Sequence, residues 1–280
     1  MSDAPTIRTM GREDVDFAMA LATGEGWNSG LSDAESFFAA DPEGFFLAEL
    51  DGRPVGCISA VRYGDGFGFA GLYIMIPEAR GRGWGLRLWN HALRRLDGCA
   101  NIGLDAVPAQ EANYVRSGFA TAYRSARYEG VAGGTVPESV HRLGEADFAD
   151  VAAYDRQCFP APRDAFLRAW LAARGSHAFG VRRGGVLAGY GVIRPCIRGC
   201  KVGPLFADDA AAARDLLEAL TASVPGETFY LDVARPNRAA VKLAEGLGLT
   251  EVFATVRMYT AGQPAVDLDK VFGVTSFELG

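Results

Sequence analysis

Cysteine is sparse here, and its pattern excludes two uses of it. Cys57, Cys99, Cys158, Cys196 and Cys200 are odd in number and scattered, which fits reduced, buried thiols rather than a disulfide framework. Only Cys196 and Cys200 lie close together, and without a second cysteine or histidine cluster they make a poor zinc site, so no metal is expected. Long apolar runs are missing as well: nothing approaches the roughly 18 residues of a membrane span. The opening MSDAPTIRTMGRED has no basic stretch followed by an apolar core, so it does not read as a signal peptide and a cytoplasmic protein is expected. Two phosphate-binding patterns are absent by their letters. There is no G-x-x-x-x-G-K-[ST], and Leu86 stands where Gly81 and Gly83 would need the last glycine of G-x-G-x-x-G. A P-loop NTPase and a dinucleotide dehydrogenase are therefore excluded.

What the chain does have is the composition of a globular protein, 49% apolar and 22% charged, at a length of 280 residues that suggests two domains. Residues 71–96, GLYIMIPEARGRGWGLRLWNHALRRL, organise the rest. An apolar strand from Gly71 to Ile76 turns at Pro77, passes through Arg80-Gly81-Arg82-Gly83-Trp84-Gly85, and becomes a helix. Leu86, Trp89, Leu93 and Leu96 recur at helical spacing, so that face is expected to pack on a sheet. Free amides at the helix start, on a backbone short of Cβ atoms, suit phosphate oxygens. Five arginines and no acid fall between Ala79 and Arg95 in a chain of net charge -6. A local basic patch on an acidic protein points to a specific anionic ligand rather than to nucleic acid.

Arg80-x-x-Gly83-x-Gly85, directly after Ile76-Pro77-Glu78, resembles the [QR]-x-x-G-x-[GA] signature of the GNAT superfamily of N-acetyltransferases. The resemblance implies that Arg80, Gly81, Arg82, Gly83, Trp84, Gly85 and Leu86 hold the pyrophosphate of acetyl-CoA. It implies further that the backbone of Ile74, Met75 and Ile76 pairs with the pantetheine arm, and that a splayed strand presents an amide to the thioester carbonyl. A helix over 109–117 ends at Gly118-Phe119, with Tyr114 four residues before the glycine, where the family places its tyrosine. A phenol, with a pKa of about 10, can protonate a departing thiolate.

The remaining site candidates are acceptor-side. Gly24-Glu25-Gly26-Trp27-Asn28-Ser29-Gly30 breaks a helix over 13–23, and Ser32-x-x-Glu35 reads as a capping box for the next. In the family this segment often walls the acceptor site, which makes Glu25, Trp27 and Asn28 candidates. Glu25 is the first choice of base, with Asp65 and Asp105 behind it. His91, within the arginine-rich stretch, reads as a surface or packing residue. Phe45 to Leu50 and Pro54 to Val61 form a hairpin about Asp51-Gly52-Arg53, and strands near 120–123 and 126–130 close the unit.

After the linker-like GVAGGTVP the element order repeats. Leu231-Asp232 echoes Leu104-Asp105, Gly248-Leu249 echoes Gly118-Phe119, and Arg257-Met258-Tyr259 echoes Arg127-Tyr128, all at offsets between 127 and 133 residues. The expected architecture is α+β, a mixed, mostly antiparallel sheet flanked by helices, in two tandem GNAT-like domains: 1–130, a linker 131–137, and a degenerate copy 138–280. In that copy Asp208-Asp209 replaces the glycine loop, and Ala244 replaces the tyrosine. Asp232 stands where Asp105 does in a copy without the loop, which favours a structural role, capping the following turn. The run VFGVTSFEL, 271–279, completes the second sheet or crosses to the first.

The expected activity is acetyl transfer from acetyl-CoA, the co-substrate, to a primary amine of a small acceptor, by direct attack in a ternary complex. The expected partners are this small-molecule amine and, at the level of assembly, a homodimer, with no nucleic acid and no membrane. The alternatives are a non-catalytic acyl-CoA-binding or sensing module and transfer of an acyl group other than acetyl.

Overall fold

The computed structural model describes residues 4–280. The first three residues of the segment read for a leader lie outside that range. In chain order the elements are β1 (Thr6–Thr9), α1 (Arg12–Gly24), α2 (Asp33–Ala40), β2 (Phe45–Leu50), β3 (Arg53–Tyr63), β4 (Phe67–Met75), α3 (Trp84–Arg95), β5 (Asn101–Ala106), α4 (Glu111–Arg116) and β6 (Ala120–Val131). The second half follows with β7 (Val140–Arg142), α5 (Phe148–Cys158), α6 (Asp164–Leu171), β8 (His177–Arg183), β9 (Val186–Pro195), β10 (Cys200–Ala207), α7 (Ala210–Ala222), β11 (Thr228–Ala234), α8 (Arg238–Gly246), β12 (Thr250–Tyr259) and β13 (Val271–Gly273).

All strands join one 13-stranded sheet in the order β1-β2-β3-β4-β5-β12-β6-β11-β10-β9-β8-β7, with β13 on β10. Pairing is antiparallel except for β4 with β5 and β10 with β11, one parallel pair in each half. In both, the pairing is short. Phe67–Ala70 pairs with Asn101–Leu104, and β4 then runs on to Met75 without β5; Cys200–Val202 pairs with Phe229–Leu231, and β10 runs on to Ala207 without β11. Each half thus contains a fork between two strands.

The halves trade their last strands. β12, from the second half, lies between β5 and β6, while β6 from the first lies between β12 and β11. Two buried ion pairs cross the exchange at corresponding places. Arg257 Nη2 meets Asp105 Oδ2 at 2.6 Å, and Arg127 Nε meets Asp232 Oδ1 at 2.6 Å. The aspartates that echo one another in sequence are bound to the arginines of the opposite half. Because β6 is paired on both sides, it is one continuous strand from Ala120 to Val131, where two short strands were expected.

Helices α1, α2, α5 and α6 share one core; Phe37 of α2 stacks on Trp170 of α6 with ring centres 6.1 Å apart. Burial on α3 departs from the expected stripe. Leu88, Trp89, Ala92 and Leu96 are buried, while Leu86 is 61% exposed in the first turn. The α2 capping box does not form: Ser32 makes no cap bond, and Asp33 accepts instead from Gly30 N at 2.9 Å. Asp33 is itself bound to Arg194 of β9 at 2.8 Å, a third buried pair joining the halves.

The run 271–280 does both of the things left open for it. β13 pairs with β10, Val274 N donates to Asp232 O at 2.8 Å, and the chain then crosses to the first half, where Tyr63 Oη donates to Leu279 O at 3.1 Å. Gly71 is required for the crossing, since a Cβ there would lie 2.0 Å from Glu278 O.

Candidate active site

A cavity of about 650 Å3 opens in the fork of the first half. β4 supplies one wall, Gly71 through Met75, and Leu104 and Asp105 of β5 supply the other. Opposite this stretch β3 advances two residues, Cys57 to Ser59, while β4 advances three, Gly71 to Ile74. The extra residue makes a bulge, and Leu72 adopts a left-handed backbone, φ 47°. Leu72 O is taken by Cys57 Sγ–H at 3.1 Å, which holds the bulge from behind. The backbone of β4 beyond Ala70, facing away from β3, is left without a strand partner.

At the outer end lies the arginine-glycine loop. Gly83 caps α3 with φ 76°, a conformation that a side chain resists, and no side chain closes the helix start. The first-turn amides are therefore open to an anion. Arg80 is held in the loop by Nε to Met75 O at 2.9 Å and by an ion pair with Glu25 at 2.5 Å. Arg82 stacks over Trp84 at 5.1 Å. Leu86 and Arg80 line the cavity, which explains the exposure of Leu86; Gly81, Arg82 and Gly83 of the loop and Trp84 and Gly85 at the start of α3 are not part of its lining.

Tyr114 of α4 lines the cavity among Tyr73, Trp89 and Phe119, 5.3 Å from the Trp89 ring centre. Burial pushes its pKa up, with the neighbouring Tyr73 adding to the effect, so the phenol stays protonated at neutral pH.

The acceptor-side candidates separate. Glu25 and Trp27 line the cavity, with Glu25 tied to Arg80. Asp105 also lines it, but its side chain is fully buried against Arg257. Burial raises its pKa, and Arg257 opposes the rise. Asn28 does not face the cavity. Its side chain clips the second half, donating to Arg198 O at 3.0 Å and accepting from Arg198 N at 2.9 Å, because the glycine-rich turn packs against β9 and β10. Asp65 sits on the β3–β4 turn, 94% exposed and paired with Arg62, away from the cavity. His91 lies edge-on to Phe46 at 5.0 Å, a packing position.

Sequence reasoning missed Arg127, Phe253, Thr255, Phe277 and Glu278, which line the inner end. All but Arg127 come from beyond residue 250: the strand exchange brings Phe253 and Thr255 here, and the terminal crossing brings Phe277 and Glu278. One signal existed: Glu278 is the sole charged residue in the apolar run 271–279.

Comparison with known proteins decides what the fork belongs to. Residues 13–119 match the family described as "Acetyltransferase (GNAT) family", and 151–273 match "Acetyltransferase (GNAT) domain". A holothin acyltransferase from Pseudoalteromonas sp. (strain SANK 73390) is 34% identical over 278 residues, 98% of this chain and 94% of that protein. The chain belongs to the GNAT acetyltransferase family. It is a GNAT acyltransferase with two such domains in tandem. A putative acetyltransferase from Pyrococcus horikoshii shares the whole fold at TM-score 0.85 and 21% identity, covering 100% of this chain and 97% of that one. A tandem GNAT protein from the clavulanic acid biosynthesis pathway matches at TM-score 0.64 and 14% identity, covering 92% and 99%.

Within this GNAT pair the second fork is closed. β13 lies against β10 where β10 leaves β11, and a Cβ on Gly203 would lie 2.5 Å from Thr275 O. At the start of α7, Asp209 accepts from the amides of Ala211 and Ala212, both at 3.0 Å. The carboxylate occupies the anion position that Gly83 leaves open. Among the described residues no group of three or more His, Cys, Asp or Glu could hold a metal, and no helix is long and apolar enough to cross a membrane.

Proposed function

We propose that residues 1–130 bind one acetyl-CoA in the open fork and transfer its acetyl group to a primary amine by direct attack in a ternary complex, with 138–280 holding no acetyl-CoA of its own. The observation that carries this is the continuity of the cavity. It runs from Arg80 of the loop and Leu86 in the first turn of α3, along the unpaired edge of β4, past Tyr114, to an inner end lined by Trp27, Phe253 and Phe277. Phosphates, pantetheine arm, thioester and acceptor each have a length of it.

In this reading the α3 amides hold the pyrophosphate, and an amide freed by the Leu72 bulge polarises the thioester carbonyl. Tyr114 protonates the departing sulfur, a role supported by its place in the cavity wall. No side chain acts as nucleophile. By likeness to the holothin acyltransferase, the acceptor is a small molecule. The test is purified protein with acetyl-CoA and a broad amine panel, read as released thiol. Thiol release above background with at least one amine is expected, and its absence across the panel overturns the reading.

A further inference from the structure

The inner end of the cavity holds a carboxylate with one oxygen that no other described residue hydrogen-bonds. Glu278 is 3% exposed, lines the cavity, and has no hydrogen-bond partner at Oε2. Leaving a buried charged oxygen unpaired costs several kcal/mol, on the order of a large fraction of a domain's net stability. The other two carboxylates of the wall are engaged, Glu25 by Arg80 and Asp105 by Arg257. Arg127, Arg194 and Lys201 act on Glu278 through space, but none closes a salt bridge with it. The two arginines are held instead by Asp232 and Asp33.

Its placement is fixed on both sides. Glu278 O abuts Gly71 at the β4 bulge, Leu279 N donates to Ser276 Oγ at 3.0 Å, and Tyr63 holds Leu279 O. Trp27, Leu72, Phe253 and Phe277 give the same cavity apolar surface. A single unpaired carboxylate inside aromatic walls matches a cation on an apolar body.

We infer that Glu278 receives the ammonium group of the acceptor and takes its proton, so that the second half of the chain completes the acceptor site of the first. This rests on the acyl-transfer reading above. An ammonium gives one proton to the carboxylate, and the freed nitrogen pair forms the bond to the thioester carbon. Collapse of the adduct breaks the carbon–sulfur bond. The sulfur takes a proton from Tyr114, which the second proton shed by nitrogen restores, and Glu278 releases the first to solvent. The acceptor class is therefore a primary amine, cationic at neutral pH, on an aromatic or similarly broad apolar frame.

The test titrates the intact protein, saturated with CoA, with phenethylamine and with 2-phenylethanol, its neutral counterpart. The amine is expected to bind about 10-fold or more tighter, as one charged hydrogen bond implies. Glu278→Gln should erase that preference, leave the Kd for CoA unchanged and raise the Tm by relieving the buried unpaired charge, whereas Glu278→Asp should keep part of the preference. Equal affinity of the two probes in the native protein, or a preference that survives Glu278→Gln, overturns the inference. The two readings fail separately: amine preference dependent on Glu278, without thiol release from acetyl-CoA by any amine, sinks the transferase reading and upholds the amine site.

Discussion

Where β4 leaves β5 the chain keeps a cavity, and where β10 leaves β11 it lays its own residues 271–275 into the gap. The strands diverge after the same short parallel pairing in both places, so the fork belongs to the repeated fold. What differs is glycine or aspartate before the helix, tyrosine or alanine on the following helix, and open space or the chain's own residues 271–275 in the fork. A duplicated scaffold can thus keep its geometry in both copies while one fork stays open and the other is filled. The second copy instead supplies structure to the first, through β12, the crossed ion pairs and the run that carries Glu278.

The comparison breaks most directly at Gly83. Gly83→Asp puts a side chain on a residue at φ 76° and a carboxylate beside the phosphates, and should weaken acetyl-CoA by at least about 100-fold. Calorimetric titration of the native protein should give one site per chain. Two sites would mean that the second fork opens in solution, and the contrast would be lost.

The two crossed ion pairs should be energetic equals even though the forks beside them are not. Asp105→Ala and Asp232→Ala each leave an arginine buried without its counter-ion, at a cost of about 3–5 kcal/mol in denaturant unfolding. A large inequality would show that the repeat is less symmetric in energy than in register. Tyr114→Phe sharpens the contrast at the site itself. It should lower turnover by about 100-fold while the Kd for acetyl-CoA holds, and an unchanged turnover would remove Tyr114 from the chemistry.

The local half of this contrast was legible in the sequence, and the long-range half was not. Arg80-x-x-Gly83-x-Gly85 and Asp208-Asp209 announce their difference in a few letters, because an anion site at a helix start depends on consecutive backbone groups. The offset repeat also made the paired roles of Asp105 and Asp232 readable as structural. That each aspartate binds the arginine of the other half was hidden, because strand exchange is set by which edges meet in three dimensions. Asn28 misled for the same reason: its turn looked like an acceptor wall, but its partner, Arg198, is 170 residues away. Leu86 misled for a different one, since helical spacing identifies a stripe but not where along it the helix leaves the sheet.

The smallest effect is expected at Asp209, and it tests whether the second fork lost its ligand or replaced it. Hydrogen bonds from Arg183, and then from the Ala212 amide, pull the Asp209 carboxyl from 3.8 down to about 2. A depressed carboxylate stabilises the fold above its unfolded pKa, and that contribution disappears as pH falls through the folded value. The side chain is 46% exposed, so solvent screens the ion pair, and the helix cap dominates. Asp209→Ala should cost about 1 kcal/mol at pH 7 in denaturant unfolding, with native and variant curves converging as pH drops from about 4 to about 2. Asp209→Gly, which frees the Ala211 and Ala212 amides, should still bind no second acetyl-CoA, because residues 271–275 remain in the fork. A second site in that variant would mean that one carboxylate, and not the inserted strand, is what keeps the second copy silent.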